Sequence, residues 1–130
     1  MKLLLDTHIL IWSAFEPRRL SARLRRLLQR SSSELWVSPI TIWEVLLLIE
    51  AGRLRIDAAF DDWLAETHSA MALNEAPLTQ GVVLATRDVE IPHRDPADRL
   101  LAATARYYEL RLATADERML AGTGFSTVAN

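Results

Sequence analysis

The sequence predicts an α/β protein in which a short, mainly parallel β-sheet is flanked by α-helices on both faces. Two observations predict this class: short apolar runs typical of buried strands recur along the chain, and longer helical patterns separate them. The alternation implies β-α-β crossovers, which cover both faces of a parallel sheet with helices. With 130 residues, 50% of them hydrophobic, the chain is expected to form one domain, residues 1–130, with a substantial core.

The first strand is expected at residues 3–5, followed by a helix over residues 8–15 that ends before Pro17. Ser21 is the expected N-cap of a second helix, because a serine hydroxyl can accept a hydrogen bond from the free amides of the first turn. This helix is predicted to run to about Arg30, with three leucines on one face: Leu24, Leu27 and Leu28.

A second strand, residues 35–37, leads into the third predicted helix. Ser38 is its expected cap, Pro39 occupies the first helical position, where no N–H is needed, and Gly52 ends the helix. The apolar run at residues 46–49 is too continuous for one helix face. Part of it is therefore expected to be covered by another helix or another subunit.

In the second half of the chain, Asp57 is the expected cap of a helix over residues 60–69. Residues 71–78 are expected to be extended, and residues 79–86 to form a short helix. The clearest helical pattern spans residues 96–108. Two further strands are predicted, at residues 110–113 and, on an edge of the sheet, at residues 125–128.

Four acidic residues follow or interrupt strongly apolar runs: Asp6, Glu44, Asp98 and Asp116. A carboxylate that leaves water is costly unless it is paired or bound to a metal, and the only lysine, Lys2, lies at the other end of its strand. Ligands bind beyond the carboxyl ends of parallel strands, so the four acids are expected to meet at that edge. Their charges are expected to raise the pKa of at least one of them. A hard divalent cation is the natural countercharge.

Helix capping is the alternative explanation for most of these acids. Asp6 and Asp116 each precede a short helical pattern, and residues 95–98 resemble a capping box, with Asp95 as the cap and Asp98 as its acid. Glu44 has no capping position. The coincidence of all four favours a metal site.

Composition restricts the chemistry and the compartment. Because the chain has no cysteine, disulfides and thiolate metal sites are excluded, and a metal would have oxygen or histidine ligands. No secretory signal or membrane span is expected, so the protein is expected to be cytoplasmic. A net charge of -2 argues against coating nucleic acid by bulk electrostatics. The arginine-rich segment at residues 18–30 is either a phosphate-binding surface or a solvated helix face.

The four acids lie within segments that together carry a family resemblance. The segments are residues 3–8, residues 38–54 around Glu44, residues 93–102 with the run Asp95-Pro96-Ala97-Asp98-Arg99-Leu100-Leu101, and residues 113–116. In order and spacing they are similar to the PIN-domain ribonucleases, and more narrowly to the VapC toxins of bacterial toxin-antitoxin pairs. Nearly the whole chain is covered, with Leu48 and Ala97 where relatives often carry a lysine and an aromatic residue.

The resemblance implies a PIN-like fold and an endoribonuclease that depends on Mg²⁺ or Mn²⁺ and acts as a toxin. It also implies a homodimer, and a VapB-like antitoxin whose C-terminal segment covers the active site. A hetero-oligomer of toxin and antitoxin on operator DNA is a further implied assembly. RNA is the implied substrate, and no membrane partner is implied.

The expected roles follow from the chemistry of phosphodiester hydrolysis, which needs charge stabilisation and an activated water. Asp6 and Asp98 are the expected principal metal ligands, direct or through water, and Asp116 is a further ligand. Glu44 is expected to be a ligand or the base that orients water. Thr114, two residues before Asp116, is expected to form a hydrogen bond at the site or to be a plain strand residue.

Three other readings remain open on the sequence alone. His8 and His93 could form a metal-free, histidine-based ribonuclease. An aspartate-based phosphatase would need a second acid at the position of His8 and a lysine near the site. The chain could also be a binding module of the PIN fold, acting through an antitoxin and operator DNA.

Four tryptophans are expected in the core, with one or two lining an interface: Trp12, Trp36, Trp43 and Trp63.

Overall fold

Five strands and seven helices follow one another in a computed structural model that describes all 130 residues. The strands are β1 (Lys2–Leu5), β2 (Glu34–Val37), β3 (Asn74–Glu75), β4 (Arg111–Thr114) and β5 (Ser126–Ala129). The helices are α1 (Thr7–Phe15), α2 (Ala22–Gln29), α3 (Pro39–Glu50), α4 (Phe60–Met71), α5 (Gln80–Ala85), α6 (Pro96–Tyr107) and α7 (Glu117–Leu120). Short 3-10 turns lie at Pro17–Arg19 and Thr86–Asp88.

The strands form one sheet in the order β3-β2-β1-β4-β5, and all four pairings are parallel. The predicted α/β class with a parallel sheet is therefore confirmed, and β5 lies on an edge as predicted. The strand order reverses at β1, which pairs with β2 on one side and with β4 on the other. A crevice at the carboxyl ends of β1 and β4 follows from this reversal.

Helices cover both faces of the sheet, as the sequence predicts. Side chains alternate along a strand, so Leu3 and Leu5 face one core and Leu4 faces the other. The first core takes apolar residues from α1, α2, α3 and α4: Ile9, Leu10, Leu24, Leu27, Val45 and Trp63. The second takes residues from α5, α6 and α7: Val82, Leu101, Ala102, Ala103, Ala105 and Met119.

Two of the predicted helix caps are confirmed. The Ser21 hydroxyl accepts a hydrogen bond from the Leu24 N–H at 3.1 Å, and the buried Ser38 hydroxyl accepts one from the Ile40 N–H at 3.0 Å. After α3, Gly52 has a φ of 71°, a left-handed conformation that glycine adopts without strain. The sequence therefore located both ends of the helix that carries Glu44.

The start of α4 differs from the prediction. Asp57 is not its cap: the helix begins at Phe60, Ala59 is the N-cap, and no side chain caps it. The Asp57 carboxylate instead accepts a hydrogen bond from Arg55 Nε at 3.1 Å, in an exposed ion pair. Asp61 and Asp62 lie in the first turn, where negative charge is favourable.

The end of α4 also differs. The sequence predicts an extended segment that begins at Met71, but Met71 is the last residue of the helix, and only Asn74–Glu75 forms a strand. Ala72 ends the helix in a left-handed conformation with a φ of 49°, and its N–H bonds to carbonyls of the last turn. Sequence reasoning missed this end because alanine rarely adopts that conformation.

The tryptophans and the leucine run of α3 divide between core and surface. Trp63 is buried, Trp12 and Trp36 are half-buried, and Trp43 is 53% exposed. In the run at residues 46–49, Leu46 and Leu47 are exposed, and the other two residues pack against the first core. The chain also has no helix with the length and apolar character needed to cross a membrane.

Replacement of Leu4 by alanine tests the central position of β1. Leu4 is fully buried and packs in the second core, so Leu4→Ala should lower the free energy of unfolding by about 2–5 kcal/mol. The measurement is urea unfolding of the purified protein. Leu46→Ala, at an exposed position of α3, is the control and should cost less than about 1 kcal/mol. Equal losses in the two variants would contradict this packing.

Candidate functional site

The four acids predicted from the sequence line one cavity, of about 450 Å³, at the carboxyl edge of the sheet. Asp6 follows β1, and Asp116 lies two residues beyond β4. Glu44 comes from the second turn of α3, and Asp98 from the first turn of α6. The reversal of strand order at β1 opens this space, because the connections after β1 and β4 leave toward opposite sides.

Asp6 is fixed by hydrogen bonds at both carboxylate oxygens. Oδ1 accepts from the Thr7 N–H at 2.6 Å, and Oδ2 accepts from the Thr114 hydroxyl at 2.5 Å. The Thr114 hydroxyl also accepts from the Asp116 N–H at 3.0 Å. Thr114 is fully buried at the end of β4 and so links the first acid to the backbone of the last.

Glu44 is connected to the same site through Thr7. The Thr7 hydroxyl donates a hydrogen bond to Glu44 Oε1 at 2.8 Å, and Thr7 is 3% exposed. Sequence reasoning did not select Thr7 as a site residue. The available signal was its position directly after Asp6, at the first residue of the helix that begins at the sheet edge.

Asp98 lies against His93 in the loop before α6. His93 Nε2 is 3.3 Å from Asp98 Oδ2, and the two side chains are 12% and 14% exposed. His93 Nδ1 accepts from the Asp95 N–H at 3.3 Å, so the proton of the neutral ring resides on Nε2. Nε2 is buried and makes no hydrogen bond of good geometry, so its approach to Asp98 is an electrostatic contact.

Asp116 is held by Arg118. Oδ1 accepts from the Arg118 N–H at 2.9 Å, and the guanidinium contacts both carboxylate oxygens, Nε to Oδ1 at 3.3 Å and Nη2 to Oδ2 at 3.2 Å. Asp116 is thereby the N-cap of α7 as well as a lining residue of the cavity.

Capping accounts for some of the acids and not for others. Asp6, Asp95 and Asp116 are N-caps whose side chains accept backbone hydrogen bonds. The capping box expected at residues 95–98 does not close, because the Asp95 N–H bonds to His93 and not to Asp98. Asp98 and Glu44 therefore have no capping role, and another explanation is needed for their position.

The pKa values separate Asp116 from the other three acids. Burial raises the pKa of Asp98 to about 6, and the charges of Asp95, Asp6 and Glu44 add to the rise. Burial also raises the pKa of Asp6 and that of Glu44 above their ordinary values, although threonine hydrogen bonds oppose both shifts. For Asp116 burial acts in the same direction, but hydrogen bonds from Arg118 and its charge outweigh it and lower the pKa. The expectation that at least one acid has a raised pKa is confirmed, and burial is the largest cause.

The donor atoms present fit a divalent metal ion. One ligand atom from each of His93, Asp98 and Asp116 lies within 4.8 Å of the other two, and carboxylate oxygens are the ligands that hard divalent ions prefer. Asp6 and Glu44 line the same cavity but are not in this closest group. The structure therefore gathers the four acids, and it adds His93, which the sequence had suggested only for a metal-free histidine mechanism.

The histidines expected in that alternative have different neighbours. His93 lies against Asp98, whereas the His8 ring lies against the Trp12 ring with centroids 5.8 Å apart. The lysine that a phosphatase site would need is also distant in the fold, since Lys2 begins β1 and Asp6 follows its other end.

Comparison with known proteins identifies the family. The model of the PIN domain matches residues 3–124. Over 121 residues the chain is 34% identical to Ribonuclease VapC22 from Mycobacterium tuberculosis. The aligned region covers 89% of this chain and 88% of that protein.

Two solved structures share the fold. One is VapBC2 from Rickettsia felis bound to a DNA fragment from its promoter, with a TM-score of 0.73, 15% identity and coverage of 99% of this chain and 98% of that chain. The other is DNA-bound VapBC from Salmonella typhimurium, with a TM-score of 0.66, 19% identity and coverage of 99% and 98%. The resemblance carried by the four acidic segments is confirmed: the chain belongs to the PIN-domain family.

Proposed function

We propose that the protein is a metal-dependent endoribonuclease that acts as the toxin of a toxin-antitoxin pair. The observation that carries the proposal is the convergence of Asp6, Glu44, Asp98 and Asp116 on one cavity at the reversal of strand order. Identity of 34% with a protein named as a ribonuclease supports the choice of RNA as substrate.

In this proposal Asp6, Asp98, Asp116 and Glu44 hold Mg²⁺ or Mn²⁺. Carboxylate oxygens are the ligands that both ions prefer, and Mg²⁺ binds through few carboxylates while it keeps several waters. Bound there, the ion would stabilise charge on the phosphoryl oxygens and lower the pKa of water. In this proposal His93 lies beside Asp98 and is not a metal ligand. The Asp95 N–H occupies Nδ1, so the ring proton is on Nε2, the nitrogen that faces Asp98.

The threonines orient the acids for this chemistry. The Thr114 hydroxyl donates to Asp6 and the Thr7 hydroxyl donates to Glu44, and these hydrogen bonds help to fix the orientation of both carboxylates. Glu44, whose pKa is raised by burial, is suited to accept a proton from water. Attack of that water on phosphorus would break the bond to the 3′-oxygen, and the departing oxygen would take a proton from solvent water to become the 3′-hydroxyl.

A VapB-like antitoxin is the proposed partner, and a homodimer is the proposed form of the protein. Two solved structures of the same fold are VapBC assemblies on DNA, which supports a toxin-antitoxin complex on operator DNA for this chain. Exposed apolar side chains on α3 and α5 offer surface for such contacts. They are Trp43, Leu46, Leu47, Val83 and Leu84.

A binding module that acts only through the antitoxin and operator DNA is the second candidate. The DNA-bound state of the similar assemblies favours it. Such a module would not require a cavity lined by four half-buried carboxylates, and their presence there supports the nuclease. The two candidates differ in whether the purified protein cleaves RNA.

Asparagine replacements test the metal site. Asp98→Asn and Asp116→Asn should each reduce RNA cleavage at least about 100-fold, because each removes a charged metal ligand. In wild type, Mg²⁺ or Mn²⁺ at a hundredfold excess over its dissociation constant should stabilise the fold by about 2.7 kcal/mol, and less in either variant. The measurements are a cleavage assay and thermal melts with metal or EDTA. Asp57→Asn, in an exposed ion pair, is the control and should retain both properties. Equal metal-induced shifts in all four proteins would exclude the site.

The raised pKa of Asp98, about 6 against an ordinary 3.8, predicts a pH-dependent stability in the absence of metal. Between these values the folded state binds more protons than the unfolded state, so the free energy of unfolding falls as pH rises from about 4 to about 6. Asp98→Asn removes this contribution, so its stability should fall less steeply over the same interval. Urea unfolding in EDTA from pH 4 to 7.5 measures the difference. Parallel curves for the two proteins would contradict the burial of Asp98.

Product analysis separates the proposed mechanism from a histidine-based one. Direct attack by water does not use the 2′-hydroxyl, so the products should carry 5′-phosphate and 3′-hydroxyl ends, and EDTA should abolish cleavage. Mass spectrometry of a cleaved oligoribonucleotide identifies the ends. Cyclic 2′,3′-phosphates formed in EDTA would instead indicate catalysis by His8 and His93.

A further inference from the structure

One wall of the acidic cavity is aromatic and cationic. His8, Trp12 and Arg19 line the same cavity as the four acids, and these three residues are called the aromatic wall below. His8 and Trp12 lie one turn apart on α1, with ring centroids 5.8 Å apart and planes at 52°. The guanidinium carbon of Arg19 lies 4.4 Å from the centroid of the Trp12 ring. The wall therefore presents two aromatic rings and a guanidinium group beside the carboxylates.

The position of Arg19 is fixed by contacts with residues other than the four acids of the cavity. Its Nη1 donates to Glu16 Oε2 at 3.3 Å, and its guanidinium packs on Trp12. The backbone around it is tied to the end of β5: Asn130 Nδ2 donates to the Arg19 carbonyl at 3.0 Å, and Asn130 Oδ1 accepts from the Ser21 N–H at 2.7 Å. These contacts hold an otherwise exposed side chain at the mouth of the cavity.

Arg19 differs in its pairing from the other arginine of the cavity. Arg118 is engaged by both oxygens of Asp116, so its charge is already compensated within the site. Arg19 pairs with Glu16, which does not line the cavity, and that pair is more than half exposed on each side. Among six arginines in the segment 18–30, Arg19 alone lines this cavity. A phosphate oxygen that reaches the cavity can therefore meet Arg19 without displacing a carboxylate of the site.

We propose that the aromatic wall binds a nucleotide of single-stranded RNA next to the bond that is cleaved, with the base stacked on the wall and Arg19 on a phosphate. This inference rests on the proposed ribonuclease function and names the residues that would hold the substrate beside the four acids. Aromatic rings and guanidinium planes bind unpaired bases by stacking, whereas bases within a duplex are not available for it. Stacking tolerates every base, so the wall supplies affinity for single strands and does not read sequence.

Binding of a fluorescent single-stranded oligoribonucleotide, measured by anisotropy in EDTA, tests the wall without cleavage. Trp12→Leu should weaken binding about 5- to 150-fold, the range found for loss of one stacked base, and Trp12→Phe should weaken it less. Arg19→Gln should also weaken binding and reduce the salt dependence of log K by about 0.7, as expected for one phosphate contact to a single strand. Binding of a blunt RNA duplex should change little in any of these variants.

Two matched variants control for general effects. Phe15→Leu removes an exposed aromatic side chain of α1 outside the cavity, and Arg23→Gln removes an exposed arginine of the same basic segment. Both should bind the single strand within about twofold of wild type, as expected for positions that make no base or phosphate contact. Thermal melts identify any variant that fails to fold. If Trp12→Leu does not fold, Trp12→Phe and Arg19→Gln decide the question.

The cleavage assay distinguishes an error in the proposed role of the aromatic wall from an error in the proposed ribonuclease function. If wild type cleaves RNA with Mn²⁺ and the variants at Trp12 and Arg19 match the controls in KM and in binding, the proposed role of the aromatic wall is wrong. The proposed ribonuclease function is then still supported. If wild type binds single strands through the aromatic wall but never cleaves them, the wall is supported as a binding site and the proposed ribonuclease function is wrong. If duplex binding falls as much as single-strand binding, stacking on an unpaired base is excluded.

Discussion

The structure depends on the removal of carboxylates from water at the carboxyl edge of the sheet. Asp6 follows the central strand β1, where the fully buried Leu3, Leu4 and Leu5 leave no freedom to move the acid outward. The Thr114 hydroxyl and the Thr7 backbone N–H donate hydrogen bonds to Asp6. They compensate part of the cost of its desolvation but do not neutralise its charge. The raised pKa of Asp6 reports this imbalance, with burial as the main cause. A cation that enters the cavity would relieve it.

The four carboxylates are consequently not equivalent. Three of them, Asp6, Glu44 and Asp98, have a raised pKa and face one another across the cavity, whereas Arg118 lowers the pKa of Asp116 and makes it the acid best suited to remain ionised. His93 lies against Asp98, with Nε2 at 3.3 Å from Oδ2. Such a gradient places a permanent negative charge beside groups that exchange protons more readily, an arrangement suited to holding a cation and activating water.

The surroundings of the cavity complement these charges. The polar acids lie at the sheet edge, and the neighbouring surface of α1 and the turn after it carry His8, Trp12 and Arg19. The exposed apolar residues of α3, Trp43, Leu46 and Leu47, lie on the helix that supplies Glu44. The surfaces proposed for substrate, metal and partner thus lie on adjoining elements around the same strand ends, and α1 and α3 connect them.

The sequence by itself determined the class of fold, the caps at Ser21 and Ser38 and the choice of the four acids, because alternation of apolar runs and local hydrogen bonding are short-range properties of the chain. It did not determine the start of α4, where Arg55 takes the Asp57 carboxylate, or the left-handed Ala72 that ends that helix. It also did not indicate Thr7 as the link to Glu44, 37 residues away, His93 as the neighbour of Asp98, or Trp12 as a wall of the cavity. Only the tertiary structure decided these, because distances between side chains on different elements are set by strand order and packing, which no local pattern encodes.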